Sequence, residues 1–301
     1  MEFKRSLTLF FISIFVLSSS SVSGEFGKKE ASMVRRALNA GSFYPSNCSD
    51  IEKSIGEFNG ILDSLPAFGG LEGISTRAVI SPHAGYIYSG FTANSVHRLL
   101  GKGDFSRVIV VGPSHHHYFE GISVSLHDQY ESPCGNIPID REYARTLAKK
   151  FSLHFMEKVH SVEHSTETQI PFIGYYEPKA EVVEIIYGKC SYMELAEILK
   201  YILSDSRNAV VISSDLSHFH SLERAKKIDS LCLAGVAQES VDILENGCEA
   251  CGIIGMEAIV TVAREMGWKS RLVDYRTSAD ASGDTTRVVG YLGALFQERP
   301  E

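Results

Sequence analysis

Val108-Ile109-Val110-Val111-Gly112-Pro113-Ser114-His115-His116-His117 passes from four successive β-branched residues through a Gly-Pro pair into three imidazoles. β-Branched side chains favour the pleated strand, and a strand with one wet face alternates apolar with polar residues. No alternation is visible here, so the run reads as a strand covered on both faces. The pattern recurs where Ala78-Val79-Ile80 leads into Ser81-Pro82-His83-Ala84-Gly85-Tyr86. It recurs again where Val210-Val211-Ile212 leads into Ser213-Ser214-Asp215-Leu216-Ser217-His218-Phe219-His220. Strands buried on both faces belong to mainly parallel sheets with helices above and below.

Working outward, strands are expected at Arg77 to Ser81, Arg107 to Gly112, Ile122 to Leu126, Val182 to Tyr187, Ala209 to Ser213, Leu272 to Tyr275 and Val288 to Tyr291. Helical spacing fills Asp50 to Leu62, Phe91 to Leu100, Asp140 to Phe151, Ser191 to Leu203, Leu222 to Leu244 and Gly255 to Met266. Ser191 and Glu194 form a capping box. The alternation predicts an α/β fold, a single three-layer domain with a mainly parallel central sheet and helices on both faces. Phe68-Gly69-Gly70-Leu71-Glu72-Gly73 reads as a surface turn.

The 301 residues are 44% hydrophobic and 22% charged, ordinary for a soluble globular chain large enough to bury a core without a disulfide scaffold. The balance of 29 basic against 37 acidic residues gives −8, and no Lys/Arg stripe interleaved with aromatics is present. Nucleic acid is therefore not an expected partner.

Residues 1–32 stand apart from the domain expected at 33–301. Lys4 and Arg5, the apolar run from Leu7 to Leu17, Ser18 to Ser21 and Val22-Ser23-Gly24 have the layout of a secretory signal peptide. The run is too short for a comfortable span, so no stable membrane insertion is expected. Met33-Val34-Arg35-Arg36 is an equally good start, which would make 1–32 a dispensable extension. The chain is exported on the first reading and cytoplasmic on the second. The scattered cysteines, Cys48, Cys134, Cys190, Cys232, Cys248 and Cys251, do not decide between them.

In open α/β sheets ligands bind beyond the carboxyl ends of the strands. Three strand ends deliver imidazoles to that rim, and Glu163-His164-Ser165-Thr166-Glu167-Thr168-Gln169-Ile170-Pro171-Phe172 adds ionisable groups before a proline stop. Most of the 11 histidines fall in these segments. A lone histidine is usually a hydrogen-bonded structural residue, but convergence from several strand ends points to a site. Imidazole selects a transition metal, where carboxylates alone would select magnesium or calcium. His115 to His117 also reads as a solvent-exposed tract, with at least one ring in water.

Cys248-Glu249-Ala250-Cys251-Gly252 supplies thiols. A single CxxC is open to several readings, as metal ligand, redox pair or small buried hydrophobes, and no second pair exists for a zinc ribbon. Cys251 is better placed than Cys248, because a thiol at the amino terminus of the following helix is biased towards thiolate. The G-x-S-x-G elbow, the Walker A loop, a G-x-G-x-x-G after a strand and the H-E-x-x-H helix are missing. Serine-hydrolase and phosphate-cradling chemistries thus lack their signatures.

Taken in order, Ala40-Gly41-Ser42-Phe43-Tyr44-Pro45, Ser81-Pro82-His83-Ala84-Gly85-Tyr86, Gly112-Pro113-Ser114-His115-His116, Glu163-His164-Ser165 through Pro171-Phe172, Ser213-Ser214-Asp215-Leu216-Ser217-His218 and Ala250-Cys251-Gly252 resemble the Memo family. The resemblance runs from about Val34 to Phe296. It implies the fold of the LigB-type, class III extradiol dioxygenases and a metal site at the sheet rim, with iron or copper held by His83, His115 and Cys251. It also implies His218 beside the metal as general acid/base, with Asp215, Glu163 and His164 fixing imidazole tautomers. Those dioxygenases use two histidines and a carboxylate on iron(II), whereas a thiolate stands third here, so ring cleavage does not carry over. The resemblance leaves open a metal-dependent oxidoreductase acting on a small-molecule substrate or dioxygen, a non-catalytic adaptor for a protein partner, and a metal-sequestering protein. For the adaptor, no phosphotyrosine-reading arginine cluster is evident.

Overall fold

The computed structural model describes residues 32–298. Its strands are β1 (Val34–Arg35), β2 (Thr76–Ser81), β3 (Arg107–Pro113), β4 (Ile122–Val124), β5 (Gln129–Tyr130), β6 (Ile137–Pro138), β7 (Glu181–Tyr187), β8 (Asn208–Ser213), β9 (Asp215–His220), β10 (Lys269–Thr277) and β11 (Val288–Gln297). Strand β3 is the hub: it pairs in parallel with β8 on one side and β7 on the other, and β8 pairs in parallel with β2. The order is β10-β11-β2-β8-β3-β7-β4, with β9 pairing to β11. Antiparallel pairing is confined to the flanks, with β11 on β2, β10 and β9 on β11, and β4 on β7. Parallel neighbours need crossovers. Helix Tyr86–Leu100 carries the chain from β2 to β3, and helix Tyr192–Leu203 carries it from β7 to β8.

The packing explains the unbroken apolar runs. Ile80, Ile109, Val111, Val210 and Ile212 join one core with Leu195, Leu199, Met256 and Ile259, from helices Tyr192–Leu203 and Ile253–Met266. Val79, Val108, Val110 and Val211 join a second core with Phe91, Val96 and Leu99 of helix Tyr86–Leu100. Neighbours along one strand thus serve opposite faces, and all of these strand residues are fully buried. Each such side chain stabilises by about 1.5–3 kcal/mol relative to exposure.

Some expectations are corrected. The segment after β8 is itself a strand, β9, which departs at Ser214 and pairs with β11. Leu222 to Leu244 breaks into helices Leu222–Ala237 and Val241–Glu245. Glu239 turns the chain with a φ of 50°, and the Ser240 side chain caps the second helix by accepting from the Ile243 N–H. Gly235 permits the fold-back, since a Cβ there would stand 2.5 Å from the Leu244 side chain. The expected turn at Phe68 begins as a short helix, Pro66–Gly69, that buries Phe68. A small sheet of β1, β5 and β6 was not legible, its strands being two residues each.

Cys48 is bonded to Cys134 and Cys232 to Cys248, leaving Cys190 and Cys251 free. A Cys248/Cys251 redox pair is therefore excluded, because Cys248 is already joined to helix Leu222–Ala237. Among the described residues no helix is long and apolar enough to cross a membrane. Of the signal-like segment 1–32, residues 1–31 lie outside the described residues.

Candidate metal centre

Strand β8 lies between β2 and β3, and parallel neighbours about 4.8 Å apart bring their carboxyl ends to one rim. His83 follows β2, His115 follows β3, and Asp215 follows β8. The His83 and His115 rings meet edge to face with centroids 5.1 Å apart. His164, from the segment packed over the end of β3, lies 4.5 Å from the His115 ring and 5.5 Å from the His83 ring. One ligand atom from each of His83, His115 and His164 falls within 4.8 Å of the others.

Hydrogen bonds set the tautomers. Ser213 Oγ donates to the Ser165 carbonyl at 2.6 Å, so it accepts from His83 Nδ1 at 2.9 Å and from Gln169 Nε2 at 3.0 Å. His83 Nδ1 thereby carries the proton and Nε2 keeps a free lone pair. The Glu163 carboxylate does the same for His115, with Oε1 2.8 Å from Nδ1, while Oε2 accepts the His115 main-chain N–H at 2.6 Å. Burial opposes the charged form of Glu163, but these bonds hold its carboxyl down at about 2. Burial and the neighbouring His115 push the His83 imidazole well below 6.5, and burial with His83 and His115 pulls His164 down to about 3. Both rings are therefore neutral near pH 7, the state that binds metals.

Asp215 acts on the His83 loop, its Oδ1 accepting the main-chain N–H groups of His83 at 2.8 Å and Ala84 at 3.3 Å. Burial pushes the Asp215 carboxyl up, against the pull of the His83 N–H. Cys251 Sγ lies 3.3 Å from His83 Nε2 and accepts the Asp215 N–H at 3.3 Å. The thiolate bias expected from the helix terminus is opposed by the surroundings of the thiol. Burial, and then the nearby Asp215, push the thiol up to about 12, because desolvation of a thiolate outweighs the dipole of the helix that begins at Ile253. Gly252 lets this loop dock on β8, since a Cβ there would stand 2.7 Å from the Ser213 carbonyl oxygen.

His218 sits half-buried on β9 opposite Val289, outside the three-imidazole cluster, and no hydrogen bond engages its ring among the described residues. His116 is exposed, as expected of part of that tract, and its Nε2 is 3.3 Å from His164 Nδ1. Sequence reading missed Ser213 and Gln169 as the supports of His83, although both lie inside the quoted motifs. It also missed Arg35, which is fully buried and donates to the carbonyls of Ser161 at 3.1 Å and Glu163 at 2.6 Å. No pattern in the sequence distinguishes Arg35 from its exposed neighbour Arg36.

The family model described as Memo-like protein matches residues 35–295. The chain belongs to the Memo family. A MEMO1 family protein of Aquifex aeolicus is 32% identical over 273 residues, covering 87% of this chain and 99% of its own. A MEMO1 family protein of Archaeoglobus fulgidus is 32% identical over 274 residues, covering 88% of this chain and 100% of its own. Among solved structures, uncharacterized protein JW3007 from Escherichia coli K12 superposes with a TM-score of 0.49 at 12% identity, over 74% of this chain and 99% of that one. The Memo match spans every strand end that carries a candidate ligand.

Proposed function

We propose that this Memo-family protein binds iron or copper through His83, His115 and Cys251, and that it is an oxidoreductase acting on a small substrate or dioxygen. The observation that carries the reading is a thiol beside a lone-pair-bearing imidazole nitrogen, Cys251 Sγ lying 3.3 Å from His83 Nε2, with the His115 ring meeting the His83 ring at 5.1 Å. Ligands bonded to one tetrahedral first-row ion at about 2.3 Å for sulfur and 2.0–2.1 Å for nitrogen stand about 3.5 Å apart, a spacing the Cys251–His83 pair matches, while the imidazoles gathered within 4.8 Å of one another are those of His83, His115 and His164. Two imidazoles and a sulfur suit iron or copper and not magnesium or calcium.

When bound, the ion supplies the one-electron and dioxygen chemistry that protein side chains lack. Ser213 and Glu163 hold the His83 and His115 tautomers, and Asp215 fixes the His83 main chain. Cys251 would coordinate as the thiolate, releasing its proton on loading. His218 on β9 would serve as the general acid/base. His164 lies closer than a mere orienting group, offering another imidazole to the same space.

Elemental analysis by mass spectrometry tests the reading on untagged protein purified without oxygen, beside Cys251→Ser. Near-stoichiometric iron or copper that drops in the variant supports it. Metal-free protein that cannot be reconstituted overturns it and favours the adaptor. Bound metal with no turnover of dioxygen or catechol-like substrates favours sequestration.

For the compartment we propose export. Two cysteine pairs at disulfide distance, Cys48–Cys134 and Cys232–Cys248, support that reading, because such bonds persist in oxidising compartments and are rare in the cytosol.

A further inference from the structure

His164 belongs to two clusters. Its Nδ1 lies 3.3 Å from His116 Nε2 and 3.4 Å from Glu163 Oε1, and one ligand atom from each of these residues lies within 4.8 Å of the others. Both distances exceed the 2.7–3.2 Å of good hydrogen bonds to nitrogen donors. They match instead the edge of a coordination tetrahedron, since ligands bound at 2.0–2.1 Å lie about 3.3 Å apart. Glu163 has room for one further contact. Its Oε1 accepts from His115 Nδ1 and Ser165 N and its Oε2 from His115 N, so of the roughly four lone-pair positions of a carboxylate the open one is on Oε2. His116 is exposed and His164 partly so, leaving the remaining coordination positions to water.

We propose that His116, His164 and Glu163 form a second, outer metal position that takes a divalent first-row cation on the solvent side of the His83/His115/Cys251 centre. The inference rests on the metal-centre reading only for its neighbour. Its own donors, two imidazoles and a carboxylate, contain no sulfur, so the outer position prefers harder divalent ions where the inner one favours softer metals. Glu163 touches both, clamping His115 for the inner position and offering a ligand to the outer one.

Cobalt(II) titration of the metal-free full chain is the test, because a thiolate ligand produces an intense sulfur-to-metal absorption that nitrogen and oxygen ligands do not. The wild type should take up two equivalents, only one of them with that absorption. His116→Ala, a change at an exposed side chain, should keep the absorbing equivalent and weaken the other by at least about tenfold. Cys251→Ser should lose the absorption and keep the outer equivalent. Uptake of a single absorbing equivalent by the wild type, or unchanged uptake of two by His116→Ala, overturns the outer position while leaving the inner one standing. Absorption unaffected by Cys251→Ser removes the inner assignment instead, and the count lost in His116→Ala still decides the outer one.

Discussion

Glu163 grips His115 twice, one carboxylate oxygen 2.6 Å from the main-chain nitrogen and the other 2.8 Å from Nδ1. A single side chain thus sets both where the imidazole stands and which nitrogen carries its proton. Arg35 holds the Glu163 carbonyl from behind at 2.6 Å, so the clamp itself rests on a buried cation.

Glu163→Gln keeps the shape of the clamp but offers an amide in place of a carboxylate. Metal affinity should fall about 10- to 100-fold, the usual effect of removing the partner that orients a ligating imidazole. Competition against a chelator of known affinity measures it. Unchanged affinity would mean that His115 does not bind through Nε2.

Gly252→Ala places a methyl group 2.5 Å from Ser214 Cβ and 2.7 Å from the Ser213 carbonyl oxygen. The carbonyl belongs to β8 and cannot yield cheaply, so the Cys251 loop must move. Stability should drop by about 1–3 kcal/mol, as for overpacked sites. Bound metal should fall with it, read by urea unfolding and elemental analysis of one preparation.

His97 supports the site from a distance: its Nε2 is 2.8 Å from Gln169 Oε1, and Gln169 in turn donates to Ser213 Oγ. Burial pulls its pKa from 6.5 to about 4. Between those values the unfolded chain binds a proton that the folded one refuses. The contribution is therefore complete above pH 6.5 and is lost on acidification towards pH 4, by up to about 3 kcal/mol. Glu177, raised to about 7 by burial, works in the opposite direction, since its carboxyl loses stability as pH rises towards 7. The comparison that isolates His97 is wild type minus His97→Asn, whose stability difference should shift against the wild type between pH 7 and pH 4.5. A constant difference would show that His97 is not held neutral.

With Cys48–Cys134 and Cys232–Cys248 bonded, the denatured, unreduced chain should titrate two thiols, Cys190 and Cys251. Cys232→Ala should lower stability by about 3 kcal/mol for a bond closing 16 residues. Six reactive thiols in protein taken from its native cells would overturn both the bonds and the exported reading.

The architecture was legible wherever local chemistry is unambiguous. Val108 to Val111 can only be satisfied by cover on both faces, and the structure supplies Leu199 and Ile259 on one side and Leu99 on the other. The placing of His83, His115 and Asp215 beside one another was legible for a related reason, since neighbouring parallel strands end at one rim. The break at Glu239 and the strand from Asp215 to His220 were not, because a close approach between Gly235 and Leu244 and pairing with β11 involve residues far apart in the chain.

Residue order alone settled the sheet, its parallel centre and the gathering of imidazoles at strand ends, because hydrophobic periodicity and strand polarity are local properties of the chain. Folding in three dimensions settled the rest. It joined Cys248 to Cys232 rather than leaving it beside Cys251, raised the Cys251 thiol by burial, and chose Ser213 and Glu163 as the groups that fix the proton on each imidazole. Those outcomes depend on desolvation and on distances between segments as far apart as 130 residues, the separation of His83 from Ser213, and such quantities exist only once the chain is packed.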